Sequence, residues 1–504
     1  MKEFHTGVHE IYARRRDLIL LVVLVTIGLE SLLYFCDFWF FTYHPRRMIL
    51  FVVLSFAVCW GMFRNAISWV FYFFISLPHL SQNKKPIGRW SLDVLTTAMP
   101  GEPYEMFAET LAKIAAIRGP HTTYLLDGGN DSRLKTLCEK TGTIHVNCVG
   151  VGGAKAGKVN HCLTNFARGE IVLVIDPDHL PEADFFERVL PYFGQEDVGF
   201  VQVVQAYYNQ NNSFVAMAAA EETYGFYGPL MMALNGMNIP FAIGANCTFR
   251  RRALDSIGGH AVGLAEDAQT SLRVHTAGWR SIYLPYRGSY GLVPEKLSSF
   301  FSQQLKWSYG MFRLLFEEYF ASFRKLTASG RIYYFYAGTH NLLGFVTLIN
   351  ILLPVIFLFF KVFAVEMKLA DFLVHLAPYL ISGFAINMYI QRWYTCGKER
   401  RFPWRSMLLE KGTWHIYLQG MIYAIAGKKL AWLPTPKSSA SGRSVGIVIP
   451  HGIAIALSFA AIAFALATYQ RIDDGSILMM LFAAMNALAL LPMFVLGIRR
   501  QKGL

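Results

Sequence analysis

Hydrophobic positions along the chain follow two patterns. Six long apolar stretches run Leu18 to Phe41, Met48 to Leu77, Tyr334 to Phe360, Phe372 to Tyr389, Val445 to Tyr469 and Ile477 to Ile498. Each approaches or exceeds the about 20 residues that a helix rising ~1.5 Å per residue needs to cross a ~30 Å hydrocarbon core. Between the second and third stretches the pattern shortens. Thr123 to Leu126, Ile171 to Ile175 and Gly199 to Val204 are brief apolar runs that predict buried strands, while Lys158 to Phe166 and Ala268 to Thr276 have helical spacing. Alternation of this kind predicts an α/β domain with a largely parallel sheet covered by helices.

Composition agrees with a chain that is part membrane and part globular: 504 residues, 54% hydrophobic, 15% aromatic and only 16% charged. Lys and Arg flank the spans unevenly. Arg14, Arg15 and Arg16 precede the first, a basic segment from Arg392 to Arg443 follows the fourth, and Arg499, Arg500 and Lys502 follow the sixth. The positive-inside rule then places these flanks and the polar domain in the cytoplasm, with Arg46 and Arg47 in a short loop running against it. The net charge of +13 is accounted for by these flanks, as topology and contact with anionic lipid rather than nucleic-acid binding. The first apolar run is long and lacks a small-residue cleavage pattern, so it is expected to remain as an anchor. Seven cysteines, scattered without CxxC or His spacing, predict reduced thiols with neither zinc nor a disulfide framework.

In open α/β sheets ligands bind at the carboxyl ends of strands. Asp127-Gly128-Gly129-Asn130-Asp131 follows the first of the predicted strands and Asp176-Pro177-Asp178-His179 the second. Carboxylates two residues apart can share one divalent cation and hold it against a diphosphate; acidic turns are common, but the strand-end position favours this chemistry. Lys155 and Lys158 stand in a Gly-bearing turn before a helix, which suits phosphate, or else a solvated turn. Asp267, in Ala265-Glu266-Asp267, falls near a helix N-terminus, either as a helix-capping carboxylate or as a general base whose pKa the helix end holds low. On the helix opened by Gln303-Gln304-Leu305-Lys306-Trp307, Trp307 shares a face with Met311, Leu314 and Leu315. It is an interfacial aromatic or a stacking platform for a sugar ring.

In their order and spacing these motifs resemble those of the bacterial cellulose synthase catalytic subunit and its relatives, the hyaluronan, chitin and curdlan synthases, from about Leu95 to Lys437. The resemblance rests on Leu126-Asp127-Gly128-Gly129, Lys155-Ala156-Gly157, Asp176-Pro177-Asp178-His179, Gly244 to Gly259 with Arg250-Arg251-Arg252, Ala265-Glu266-Asp267, and Gln303 to Trp307. It implies that Asp127 contacts uridine, Lys155 the diphosphate, and Asp176 with Asp178 a Mg²⁺ or Mn²⁺ ion. It further implies that Asp267 is the catalytic base of an inverting transfer, with Glu266 and Trp307 on the acceptor and Gln303 and Lys306 on the leaving diphosphate. Trp432, Thr435 and Lys437, in Trp432-Leu433-Pro434-Thr435-Pro436-Lys437, match the family's gating loop. Four departures stand out: a single Asp in the first acidic motif, Ala265 in place of Thr, Pro434 in place of Val, and Lys306 in place of an Arg whose planar fork would grip phosphate bidentately.

The resulting expectation is a GT-A glycosyltransferase domain at residues 81–325, between two N-terminal membrane helices in residues 1–80 and four C-terminal ones, with interfacial helices, in residues 326–504. Its implied activity is processive synthesis of a β-linked polysaccharide, foremost a β-glucan from UDP-glucose, coupled to translocation across the inner (plasma) membrane. A chitin- or hyaluronan-type synthase using UDP-N-acetylglucosamine, or a non-processive transferase acting on a lipid carrier, is the alternative. Implied partners are the UDP-sugar, the growing polysaccharide, the bilayer and accessory export subunits. A nucleotide-regulated transporter is disfavoured because no Walker pattern occurs and Glu30 is the one clear mid-span charge. After Lys437 come a Ser/Gly-rich linker and two spans, so the cyclic di-GMP-binding β-barrel of the best-known bacterial cellulose synthases is not expected, nor is stimulation by that nucleotide.

Overall fold

A computed structural model describes residues 13–42, 45, 47–80, 89–362, 365, 367–428, 430 and 445–499. The segment expected to act as a gating loop, with Trp432, Thr435 and Lys437, lies outside them.

Among the described residues eight strands form one sheet: β1 (Leu92–Ala98), β2 (Thr122–Asp127), β3 (Ile144–Asn147), β4 (Ile171–Ile175), β5 (Leu180–Pro181), β6 (Val198–Tyr207), β7 (Asn246–Arg250) and β8 (Arg280–Gly291). Their spatial order is β3-β2-β1-β4-β7-β6-β8-β5. The sheet is mixed rather than parallel throughout. β7 pairs antiparallel with both β4 and β6, and β5 pairs antiparallel with β8, while the other six strands run one way. This reversal matters for the site. With Ile175 paired to Asn246, the start of β7 lies at the same edge as the ends of β1, β2 and β4.

The apolar runs become strands because alternate side chains bury on opposite faces. Val94, Leu125, Leu173 and Ile175 pack with Phe107, Leu111 and Ile114 of the helix Tyr104–Ala115. Leu95, Leu126, Val172 and Val174 pack with Val159, Cys162 and Leu163 of the helix Ala154–Asn165. Both faces being covered, the runs read as continuous rather than alternating.

Among the described residues, six helices are long and apolar enough to cross a membrane: Arg15–Thr42, Met48–Tyr72, Ala328–Phe360, Leu369–Trp393, Val445–Thr468 and Asp474–Ile498. They coincide with the six apolar stretches. Leu33, Phe41, Ile49, Ile381 and Met485 on them remain exposed, as side chains facing lipid would. The third is broken at His340–Leu342 by a tighter helical turn. Glu30 is not the one charge within a span: Arg64 lies inside Met48–Tyr72.

Two short helices, Trp404–Gly412 and Trp414–Ile425, connect the fourth span towards the fifth. The second packs along the helix Leu297–Arg313, where Ser308 Oγ donates to the Tyr417 carbonyl at 3.1 Å. Gly420 permits this approach, since a Cβ there would come within 2.7 Å of the Ser308 Cβ.

Candidate active site

The strand-end loops converge on the Gly244–Ala245 backbone. Ala245 O accepts Asp176 N–H at 3.0 Å; Gly244 O accepts the Lys155 ammonium, which also donates to Asp176; and Gly244 N–H donates to Asp267 Oδ2 at 3.1 Å. One backbone segment thus joins the acidic turn after β4, the lysine loop and the helix Glu266–Thr276. A buried polar network holds it from beneath. Gln202 Oε1 accepts Ile243 N–H at 2.7 Å, Gln202 Nε2 donates to Asn246 Oδ1 at 2.6 Å, and Asn246 Nδ2 donates to Val204 O and Ser289 Oγ. Burying these amides unpaired would cost ~1–3 kcal/mol each, so the network specifies one loop conformation.

Asp176, Asp178 and His179 bring one ligand atom each to within 4.8 Å of one another. The turn is held by Thr110 Oγ1 donating to Pro177 O at 2.7 Å and His179 N–H donating to Asp176 O at 3.0 Å. His179 is buried and its Nε2 has no hydrogen-bond partner among the described residues. A donor set of two carboxylates and an imidazole with an orphaned ring nitrogen fits a divalent cation. The sequence reading gave the ion two aspartates; the backbone turn adds the histidine, whose adjacency in Asp178-His179 was the available signal.

Asp127 is buried at the end of β2, and its carboxylate is already engaged. It accepts Gly129 N–H and Asp131 N–H, each at 2.7 Å, and His145 Nε2 lies 3.0 Å away. It therefore shapes the 127–131 loop, into which Lys158 also reaches, donating to Ala98 O at 2.8 Å. Arg250 and Arg251 are structural as well: Arg250 donates to Val198 O, Phe193 O and Gln195 O, and Arg251 to Ala167 O and Leu163 O.

Glu266 and Asp267 open the helix Glu266–Thr276. Asp267 is buried deeply enough that its carboxyl is pushed up from the ordinary value, against the pull of Ala268 N–H, Gly244 N–H and Lys155. The sequence reading expected the helix end to hold it low; desolvation outweighs that dipole. Burial and the Asp267 charge push Glu266 up to about 7, with Lys155 opposing. Burial pulls the Lys155 ammonium down, but Asp176, Glu266 and Asp267 outweigh it and hold it above its usual value.

The helix Leu297–Arg313 approaches this acidic pair. Burial pulls Lys306 down to about 8, with Glu266 opposing. Trp307 leaves 49% of its surface exposed, whereas Gln304 is buried against the Tyr417 hydroxyl at 3.5 Å. Beyond this helix, Glu318 accepts from Arg273 at 2.7 Å and from Gln269 at 3.1 Å, tying it to the helix that carries Asp267. Lys155, Asp176, Asp178, Glu266, Asp267 and Lys306 thus form one electrostatically connected cluster, with Trp307 on the adjoining helix and Asp127 in the neighbouring loop.

Comparison with known proteins agrees with this geometry. Residues 171–386 match the family described as glycosyl transferase family group 2. The UDP-forming cellulose synthase catalytic subunit of Komagataeibacter sucrofermentans is 28% identical over 244 residues, covering 47% of this chain and 32% of the relative. That of Pseudomonas fluorescens is 26% identical over 312 residues, covering 61% and 41%. The chain therefore spans well under half the length of these curated relatives. Among solved structures, a mannosyltransferase from Pyrobaculum calidifontis in complex with GDP-Man and Mn²⁺ superposes with a TM-score of 0.51 at 15% identity, covering 75% of this chain and all of that one; this likeness is one of fold. Residues 171–386 therefore match glycosyl transferase family group 2, on a GT-A-like fold flanked by helices long and apolar enough to cross a membrane.

Proposed function

We propose that the chain polymerises a β-linked polysaccharide from a UDP-sugar, foremost a β-glucan from UDP-glucose, at the cytoplasmic face of the inner membrane and passes the product through its own spans. The observation that carries this reading is the placing of Asp267. Its carboxylate is fixed by Gly244 and Ala268 N–H groups, a backbone step away from Lys155 and Asp176 and next to the helix bearing the half-exposed Trp307. The similarity to UDP-forming cellulose synthase catalytic subunits supports UDP as the leaving group.

Asp267 takes the proton of an acceptor hydroxyl as that oxygen attacks the anomeric carbon from the face opposite the UDP, so the C–O bond to the diphosphate breaks with inversion. Mg²⁺ or Mn²⁺ would be held by Asp176 and Asp178, with His179 as a third donor. When bound, such an ion neutralises charge on the departing diphosphate. Lys155 and Lys306, with Gln303, face the same group. Asp127 orders the loop that receives uridine, and Glu266 and Trp307 hold the acceptor.

Incubating the purified chain with each radiolabelled UDP-sugar and digesting the product with linkage-specific glucanases tests the proposal. Polymer from UDP-glucose that a β-glucanase degrades is expected. Polymer from UDP-N-acetylglucosamine alone would move the chain to the chitin- or hyaluronan-type reading, and a single sugar on lipid would overturn processivity.

A further inference from the structure

Between the fourth span and the helix Trp404–Gly412, residues 394–403 run against the catalytic domain and are fastened there by side chains that the transfer step does not use. Glu221, on the helix Phe214–Gly225, is buried with 3% of its surface exposed. Its Oε1 accepts Arg405 Nη1 at 2.8 Å, with Arg401 Nε 3.3 Å away. Its Oε2 accepts the backbone N–H groups of Arg405 and Ser406 at 3.2 and 3.3 Å. The first turn of a helix leaves N–H groups without partners, and Pro403 at this N-cap brings no side chain that could accept one. Glu221 therefore supplies the missing cap from another element. A second pair has the opposite polarity: Arg287 on β8 meets Glu399 at 2.5 Å and donates from Nε to Thr395 Oγ1 at 3.1 Å.

The fastened helix leads to the helix bearing Trp307. Thr413 joins Trp404–Gly412 to Trp414–Ile425, its Oγ1 donating to Leu409 O at 2.7 Å and its carbonyl accepting Ile416 N–H at 3.0 Å, so the second helix inherits the placement of the first. That second helix lies along Leu297–Arg313 through the Ser308 to Tyr417 hydrogen bond. On its other side the Trp307 helix meets the acidic pair's turn, with Gly310 against Ala265. Phe300 and Phe301 of the Trp307 helix share one apolar core with Leu409, Ile416 and, from the Glu221 helix, Val215 and Ala219.

We propose that Glu221 and Arg287 are positioning residues for elongation: by clamping residues 394–406 to the catalytic domain they seat the Trp307 helix against Glu266 and Asp267. This rests on the polymerase reading above and adds to it a device acting on the acceptor side alone. Buried charges are retained only where partners match them, and the two pairs carry acid and base in opposite senses. A slide of the segment would bring Glu399 towards Glu221, or Arg401 towards Arg287, setting like charges together. The clamp therefore fixes register as well as contact. The donor side has its own supports, Thr110 under the acidic turn and Gln202 with Asn246 under Gly244, so releasing the clamp leaves the diphosphate site standing.

Glu221→Gln keeps the shape and one acceptor oxygen but loses the charge, and Arg287→Glu sets two carboxylates together. In the full chain in detergent, each is expected to lower kcat for polymer formation by up to about 10²-fold, as a misplacement of about 1 Å at a reacting centre does. The KM for the UDP-sugar and UDP affinity with Mn²⁺ should stay at the wild-type level. Adding Glu399→Arg to Arg287→Glu restores the pair in reverse and should recover most of the lost kcat. Hydrogen exchange should show protection lost at residues 394–425 and kept in the sheet. UDP affinity falling in step with kcat would make the clamp a general support of the fold and overturn the inference. An unchanged kcat in both single variants, or no recovery in the double exchange, would overturn it too. In each of these cases the wild type still makes polymer, and the polymerase reading stands; a wild-type chain that makes none from any UDP-sugar would overturn both.

Discussion

Gly310 lies so close to Ala265 that a Cβ built on it would fall 2.8 Å from both the Ala265 Cβ and its backbone nitrogen. This contact sets the spacing between the Trp307 helix and the first turn carrying Glu266 and Asp267. Gly310→Ala gains up to ~1 kcal/mol of helix propensity but meets backbone that cannot retreat, and overpacking of this kind costs about 1–3 kcal/mol. We expect a lower thermal midpoint and a kcat reduced more than UDP affinity; an unchanged kcat would show that the spacing is not critical.

Asp267→Asn should retain UDP-sugar binding while lowering turnover by roughly 10²- to 10⁴-fold, the usual contribution of a general base. Steady-state UDP release beside a UDP titration separates the two. Near-normal polymer synthesis would remove Asp267 from the role of base.

Asp178→Asn should abolish the Mn²⁺- or Mg²⁺-dependent part of UDP binding, because the acidic turn loses a charge facing the diphosphate. Gly291→Ala should weaken the same binding indirectly, since a Cβ at Gly291 would run into the His179 imidazole. Metal titrations followed by tryptophan fluorescence measure both, and UDP affinity unaltered by Asp178→Asn in saturating metal would contradict the assignment.

The raised Glu266 carboxyl gives a pH prediction. Its value in the fold is about 7 against an ordinary 4.5, so the folded protein binds this proton more tightly than the unfolded chain. The associated stability is fully present below pH about 4.5 and is lost as pH rises through about 7. Glu266→Gln should therefore gain thermal midpoint relative to wild type on going from pH 5 to pH 8. Parallel pH profiles for the two proteins would sink the idea.

Trp307→Ala should impair elongation more than hydrolysis of the UDP-sugar, since the exposed indole offers its face to the C–H groups of an acceptor ring. Polymer yield and UDP release, measured together, decide this; equal loss of both would mark Trp307 as structural.

The sequence by itself determined the six spans, because an apolar run long enough for the bilayer has few other fates. It also determined β2, β4 and β6 as strands, the order of the acidic motifs, and hence the fold class. Local chemistry sufficed there: each motif is contiguous and follows its strand. Only the tertiary structure decided that β7 runs antiparallel and carries Gly244 into the site, that Asp127 spends its carboxylate on its own loop, and that His179 joins the two aspartates. It alone decided that Asp267 is pushed up rather than held low, because desolvation depends on everything packed around a group and not on its helix alone. Arg64, His340 and Glu410 come from three separate helices. No spacing in the chain relates them, and only the packing of those helices brings them within reach of one another.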